Sequence, residues 1–124
     1  MPIKKWESLV SMFFEQADKH ATKEFLFRKK DKQWQSHTWQ ETAEKICKLA
    51  EALKRLGVEK GDRVILVSEN RPEWLIADMA IMTIGAISVP SYTTYTARDY
   101  LHIIDNSRAS LAIVSTKGLA NTFL

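Results

Sequence analysis

Cysteine is nearly absent: Cys47 stands alone in 124 residues. One thiol cannot close an internal disulfide, and that count fits a reducing compartment. Glycine is also scarce, at four residues: Gly57, Gly61, Gly85 and Gly118. No two of them fit G-x-G-x-x-G or G-x-x-x-x-G-K-[ST], so neither glycine-rich phosphate loop is present. The three histidines, His20, His37 and His102, lie too far apart for metal-ligand spacing to each other or to Cys47. No long apolar run exists. The longest, Trp74 to Ile84, is broken by Asp78 and Thr83 and is too short to cross a bilayer. The start, Met1-Pro-Ile-Lys-Lys-Trp-Glu7, has no apolar core of signal-peptide length. These absences lead us to expect a cytoplasmic protein. There is no excess of one charge either. The net +3 comes from 18 basic and 15 acidic residues, and no basic helix face or stacking platform accompanies it. No nucleic-acid partner is expected.

What remains is a chain of one domain's length, or a piece of one, with an ordinary apolar fraction of 45%, enough for a real core. Trp6, Val10, Phe13 and Ala17 recur at helical spacing, which predicts an amphipathic helix from Ile3 to about Lys19. Its polar face mixes Glu7, Glu15 and Asp18 with lysines, so packing on the body is expected, with at most peripheral membrane contact. Glu24–Arg28 and Gln33–Trp39 read as a β-hairpin around a charged turn, Lys29-Lys-Asp-Lys32. Arg28, Lys29, Lys30 and Lys32 could meet a phosphate or lipid headgroup, but a solvated turn is the expectation.

Thr38-Trp-Gln-Glu41 is a capping box. The helix behind it puts Trp39, Ala43, Ile46, Ala50 and Leu53 on one face. Glu41–Lys45, Glu44–Lys48 and Glu51–Arg55 are set at i,i+4. Gly57 closes it at the left-handed cap position. Cys47 is expected as a small core residue on its flank. After the Gly61-Asp62 turn, Arg63–Ser68 is a continuous apolar run, suited to a strand covered on both faces. Asn70 or Ser68 is expected to cap the next helix, with Pro72 in its first turn. That helix, Pro72–Ile84, is apolar nearly all round and so needs cover on several sides.

Gly85 ends it. Ala86–Val89 follows as a second buried strand, closed by Pro90. The cluster Thr93-Thr-Tyr-Thr96 is the nearest thing to a polar ligand loop, but it reads better as a turn whose last threonine caps a helix with Tyr100, Leu101 and Ile104 inward. Leu111–Ser115 is a third buried strand. Ser115-Thr-Lys117 behind it reads as a polar loop. Gly118–Leu124 reads as the start of a further helix, cut short.

The resulting fold class is α/β: an N-terminal helix and β-hairpin (1–37), then part of a doubly wound parallel sheet with flanking helices (38–124). The buried segments outrun the cover that 124 residues supply. An unusually apolar surface is therefore expected on the Pro72–Ile84 helix or on the sheet edge beside Leu111–Val114.

From Trp39 to about Leu111 the chain resembles the N-terminal subdomain of AMP-forming acyl-CoA synthetases, the adenylate-forming family. The resemblance is carried by the helix Thr42–Gly57, by Gly61-Asp-Arg-Val64, and by Ser68-Glu-Asn-Arg-Pro-Glu-Trp74. Gly85-Ala-Ile-Ser-Val-Pro90 and Ile104-Asp-Asn-Ser107 complete it. The Ser68–Trp74 run, together with Val89-Pro-Ser-Tyr-Thr-Thr94, is most similar to the long-chain fatty-acid–CoA ligase branch.

The resemblance implies a ligase reaction in two steps. A carboxylate attacks the α-phosphate of ATP, giving an acyl-adenylate, and coenzyme A then displaces AMP, with magnesium on the phosphates. It also implies that the working parts lie further on: a Gly/Ser/Thr-rich loop ending in Pro-Lys-Gly, an acidic metal segment, a ribose-binding aspartate and a lysine on a mobile domain. None occurs in 1–124, which corresponds to about a quarter or less of a family enzyme. No residue here is assigned a catalytic, cofactor-binding or metal role. ATP, magnesium and coenzyme A are implied for the complete enzyme, and no cofactor for this chain. The expected role is an N-terminal fragment, inactive alone, whose partner is the remainder of a synthetase, covalent or in trans. The alternative is an independent α/β binding or regulatory module that docks on a synthetase.

Overall fold

A computed structural model describes residues 5–123. The first helix, α1, runs from Leu9 to His20. It starts later than the pattern from Ile3 predicts, and Ile3 itself lies outside the described residues. Ser8 decides the start, because its hydroxyl accepts the Ser11 amide at 3.0 Å and so caps the helix. Strands β1 (Glu24–Lys30) and β2 (Gln33–Thr38) form the antiparallel hairpin. They are paired out to Lys30↔Gln33, so the turn is only Asp31-Lys32 rather than four residues.

Helix α2 spans Trp39–Arg55. Both halves of its capping box close: the Glu41 amide donates to Thr38 Oγ1 at 3.1 Å and the Thr38 amide to Glu41 Oε1 at 3.2 Å. Those bonds hold the Glu41 carboxyl below its usual range, the backbone bond to Thr38 first. Of the three expected i,i+4 pairs, Glu51–Arg55 is joined, at 3.0 Å. Cys47 is exposed, which corrects the expectation of a small core residue. The buried stripe Thr42, Ile46, Ala50, Leu53 leaves Cys47 one step around the helix, towards water.

The rest is a three-stranded parallel sheet of order β4-β3-β5, comprising β3 (Arg63–Val67), β4 (Ile87–Ser91) and β5 (Leu111–Val114). Val64 aligns with Ser88 on one side and Leu111 on the other. Alternation along β3 sends side chains to two cores. Val64 joins Phe13, Ile46, Leu53, Ala80 and Ile81 beneath α1, α2 and α3 (Pro72–Thr83). Ile65 and Val67 join Tyr100 and Phe123 beneath α4 (Ala97–Ser107) and α5 (Lys117–Phe123). Helices thus cover both faces, as a doubly wound sheet requires. The lead-in shares the first core, where Phe25 stacks on Trp39 at 3.8 Å.

Three local expectations are corrected. Helix α3 is preceded by Arg71, which makes no side-chain cap bond. Neither Ser68 nor Asn70 caps it, and the Ser68 hydroxyl donates to the Glu69 carbonyl instead. Pro90 does not end β4 but pairs with Leu66 inside it. A proline fits there because β4 is an edge strand among the described residues, where a missing N–H can face outward. On α4 the buried face is Tyr100 with half-buried Ile103, Ile104 and Ser107, spaced i, i+3, i+4, i+7, while Leu101 points to solvent at 57% exposure. Of the two places expected for open apolar surface, α3 is covered, with Ile76, Ala77, Met79, Ala80 and Ile81 all buried. The open apolar surface lies at the sheet edges, with Leu111, Ile113 and Val114 half-buried and Ile87 exposed.

Candidate functional site

In an open α/β sheet, ligands gather outside the carboxyl ends of strands, where neighbouring strands send their helices to opposite faces. Here β3 leads into α3 on one face, and β4 leads into α4 on the other. A crevice of about 550 Å³ opens at that divide. Ser68, Glu69 and Asn70 come from the end of β3. Ser91, Tyr92, Thr93 and Tyr95 come from the end of β4, and Trp74 from the first turn of α3.

The walls are fixed by specific bonds. Tyr100 is fully buried, and its hydroxyl donates to the Tyr92 carbonyl at 2.6 Å, which pins the loop after β4. Burial raises its pKa. Tyr92 and Tyr95 meet edge to face at 5.4 Å. Thr96 then caps α4 in a box with Asp99: the Asp99 amide donates to Thr96 Oγ1 at 3.3 Å and the Thr96 amide to Asp99 Oδ2 at 3.0 Å. The threonine cluster thus divides, with Thr96 structural and Thr93 in the crevice wall.

On the β3 side, Ser115 donates to Glu69 Oε2 at 2.7 Å, tying the end of β5 to the end of β3. Arg71 lies 3.2 Å from the other Glu69 oxygen and 3.6 Å from Glu73, which in turn pairs with Arg28 of the hairpin. The Ser115 hydrogen bond holds the Glu69 carboxyl below its usual range. For Glu73, partial burial works upward, but the Arg28 hydrogen bond and charge prevail and lower its pKa. Of the expected Ser115–Lys117 loop, Lys117 is already the first residue of α5 and is exposed. Thr116 caps α5 by accepting the Leu119 amide at 3.1 Å.

The lining is aromatic and hydroxylic, and its one charge is the Glu69 carboxylate. A triphosphate demands cations and converging amides, and the charge this set offers is the Glu69 carboxylate, already paired with Arg71 beside the crevice. These residues do not fit ATP. Among the described residues no three His, Cys, Asp or Glu side chains converge as a metal site, and no helix is long and apolar enough to cross a membrane. Sequence reading missed the crevice because its walls come from two segments, 68–74 and 90–95, that each look like an ordinary strand-to-helix connection. The available signal was their common position, directly after an apolar strand.

Residues 13–123 match the family model described as AMP-binding enzyme. The chain is 39% identical over 83 residues to the long-chain-fatty-acid–CoA ligase FadD15 of Mycobacterium tuberculosis, an alignment covering 67% of this chain and 14% of that protein. Among solved structures, the N-terminal subdomain of NpsA from Klebsiella oxytoca superposes with a TM-score of 0.79 at 26% identity, covering 88% of this chain and 28% of that one. The fatty acid AMP ligase of Legionella pneumophila has the same fold, with a TM-score of 0.84 at 20% identity over 97% of this chain and 22% of its own. The chain therefore spans about a seventh of the ligase it matches. A doubly wound sheet with its crevice at the β3/β4 divide, matched along nearly its whole length by one family model, places this chain in the AMP-binding enzyme family.

Proposed function

We propose that residues 1–124 form the N-terminal wall of a cytoplasmic long-chain fatty-acid–CoA ligase, one that makes an acyl-adenylate from ATP and then an acyl-CoA. They make up part of one domain, a lead-in over 1–37 and an alternating segment over 38–124. The identity to FadD15 supports the substrate class. The observation that carries the role is the crevice itself: it stands where this fold binds ligands, yet its lining holds a carboxylate and no cation. ATP, magnesium and coenzyme A are then held by residues of the complete enzyme outside this chain, and what these residues contribute is shape. Tyr100 and Ser115 brace the loops, while Trp74, Tyr92 and Tyr95 supply apolar surface.

The test is ATP–pyrophosphate exchange with palmitate and Mg²⁺, on this chain alone and with protein carrying the remainder of a ligase. Silence alone and exchange on mixing is the expected result. Exchange by the chain alone would overturn the assignment of phosphate handling to other residues.

A further inference from the structure

The β1–β2 hairpin carries an exposed aromatic face, where Phe27 and Trp34 wall an open groove against Glu69–Pro72 of the β3–α3 connection. Asp31 and Lys32 have φ of 53° and 65°, the left-handed pair of a tight two-residue connection, so the tip is short and well defined. The register sets Lys29 opposite Trp34, and Phe27 precedes Lys29 by two residues, so all three side chains share one face. Trp34 is 69% exposed and Phe27 52%. Lys29 Nζ stands 5.8 Å from the Trp34 ring centre. Lys32 is exposed in the turn, and Lys30, on the Arg28 face, is exposed at the same tip. Arg28 lies on the other face, where Glu73 takes up its charge. Against Lys29, Lys30 and Lys32 the tip holds one acid, Asp31.

Two large exposed rings beside Lys29, at a tip that also carries Lys30 and Lys32, match an interfacial lipid anchor in both composition and charge. A tryptophan sits at headgroup depth, and lysine stems lie along apolar surface while their ammonium groups meet phosphates. A single-stranded nucleic acid would need a groove that tracks its backbone, and a two-stranded tip has none. We propose that the β1–β2 hairpin docks the protein on an anionic lipid surface, with Trp34 and Phe27 entering the headgroup layer and Lys29, Lys30 and Lys32 facing lipid phosphates. The purpose of this docking rests on the ligase reading, because a long-chain fatty acid partitions into bilayers and a docked ligase collects it there.

The test is co-sedimentation of the full natural polypeptide with phosphatidylcholine vesicles, with and without phosphatidylglycerol. Partition into the anionic vesicles that weakens with salt is the expected result. Lys29→Gln/Lys30→Gln/Lys32→Gln should lower the partition coefficient by about fivefold per lysine. Trp34→Ser should lower it as well and abolish the blue shift of tryptophan emission on vesicle addition. Circular dichroism checks that both variants are folded. Wild-type protein left in the supernatant, equal binding to neutral vesicles, or unchanged partition in both variants would overturn the proposal. Retention of single-stranded RNA through the same lysines, without vesicle binding, would replace lipid by nucleic acid. Pyrophosphate exchange measured in parallel with detergent-dispersed palmitate separates the two readings. Exchange without docking removes only this one, and docking without exchange removes only the ligase.

Discussion

The Tyr100 hydroxyl reaches from the centre of one core to the Tyr92 carbonyl in the crevice wall, 2.6 Å away. Its ring is fully buried and stacks on Phe123 at 4.5 Å. Tyr100→Phe keeps the ring and removes only the donor, leaving the Tyr92 carbonyl without it. The expected cost is about 1–2 kcal/mol, read as a lower midpoint in urea with an unchanged slope. A loss of several kcal/mol would mean that the ring had moved as well.

The same residue predicts an alkaline limit. Burial raises the Tyr100 pKa above the ordinary tyrosine value. In the window between that value, near 10, and the higher folded one, the unfolded chain has lost this proton while the folded chain retains it. The unfolded state then binds fewer protons, so stability falls as pH rises through the window. Melting temperatures followed upward from about pH 9 should decline more gently in Tyr100→Phe than in the parent.

What could be read from sequence was whatever is decided locally. The Thr38–Glu41 capping box and the Gly57 terminus are set by residues within four positions, and both form. Pro90 and Cys47 were misread because their fate depends on neighbours. Whether a proline ends a ladder depends on which strand lies beside it, and β4 is an edge among the described residues. Whether a residue at the margin of a helical stripe is buried depends on how far the facing helix reaches, and α1 does not cover Cys47. The order β4-β3-β5 and the crevice it creates depend on chain crossings that periodicity cannot encode. Glu69 illustrates the point: its partner Ser115 is 46 positions away.

Glu69 should contribute to the acid limit. Its carboxyl is held low first by the Ser115 hydrogen bond. A depressed folded pKa gives stability that is complete above the ordinary carboxylate range and is lost as pH falls through it towards the folded value. Glu69→Gln and Ser115→Ala should each flatten the fall of melting temperature below about pH 5. The side chain is half exposed, so the effect is a change of slope rather than unfolding. Curves identical to the parent's would show that the bond does not persist in solution.

Gly85 and Gly57 form a matched pair for separating backbone strain from crowding. Both have left-handed φ, 78° and 94°. A Cβ on Gly57 meets open space, whereas one on Gly85 falls 3.0 Å from Lys60 Cγ. Gly57→Ala should cost about 1–2 kcal/mol for its conformation alone. Gly85→Ala should cost more. Lys60→Ala in the same chain should recover the excess but not the backbone share, because it removes the clash and leaves φ unchanged. Equal costs for the two glycine variants would assign everything to the backbone.

The Arg28–Glu73 pair joins the hairpin to α3, and its strength decides how firmly the hairpin is held. The two side chains are 27% and 54% exposed, so solvent screens their attraction. Arg71, 3.6 Å from Glu73, remains as a second cation when Arg28 is removed, so Glu73 is not left uncompensated. A double-mutant cycle with Arg28→Ala and Glu73→Ala should give a coupling below about 1 kcal/mol. Raising salt to about 1 M, where screening acts within about 3 Å, should shrink it further. Hydrogen exchange at the β1–β2 amides reports the same quantity locally. If the pair is a weak latch, exchange there rises only modestly in Arg28→Ala, because Phe25 and Leu26 still anchor β1 in the core. A coupling well above 1 kcal/mol that survives salt would mean that the pair is far drier in solution than its exposure implies.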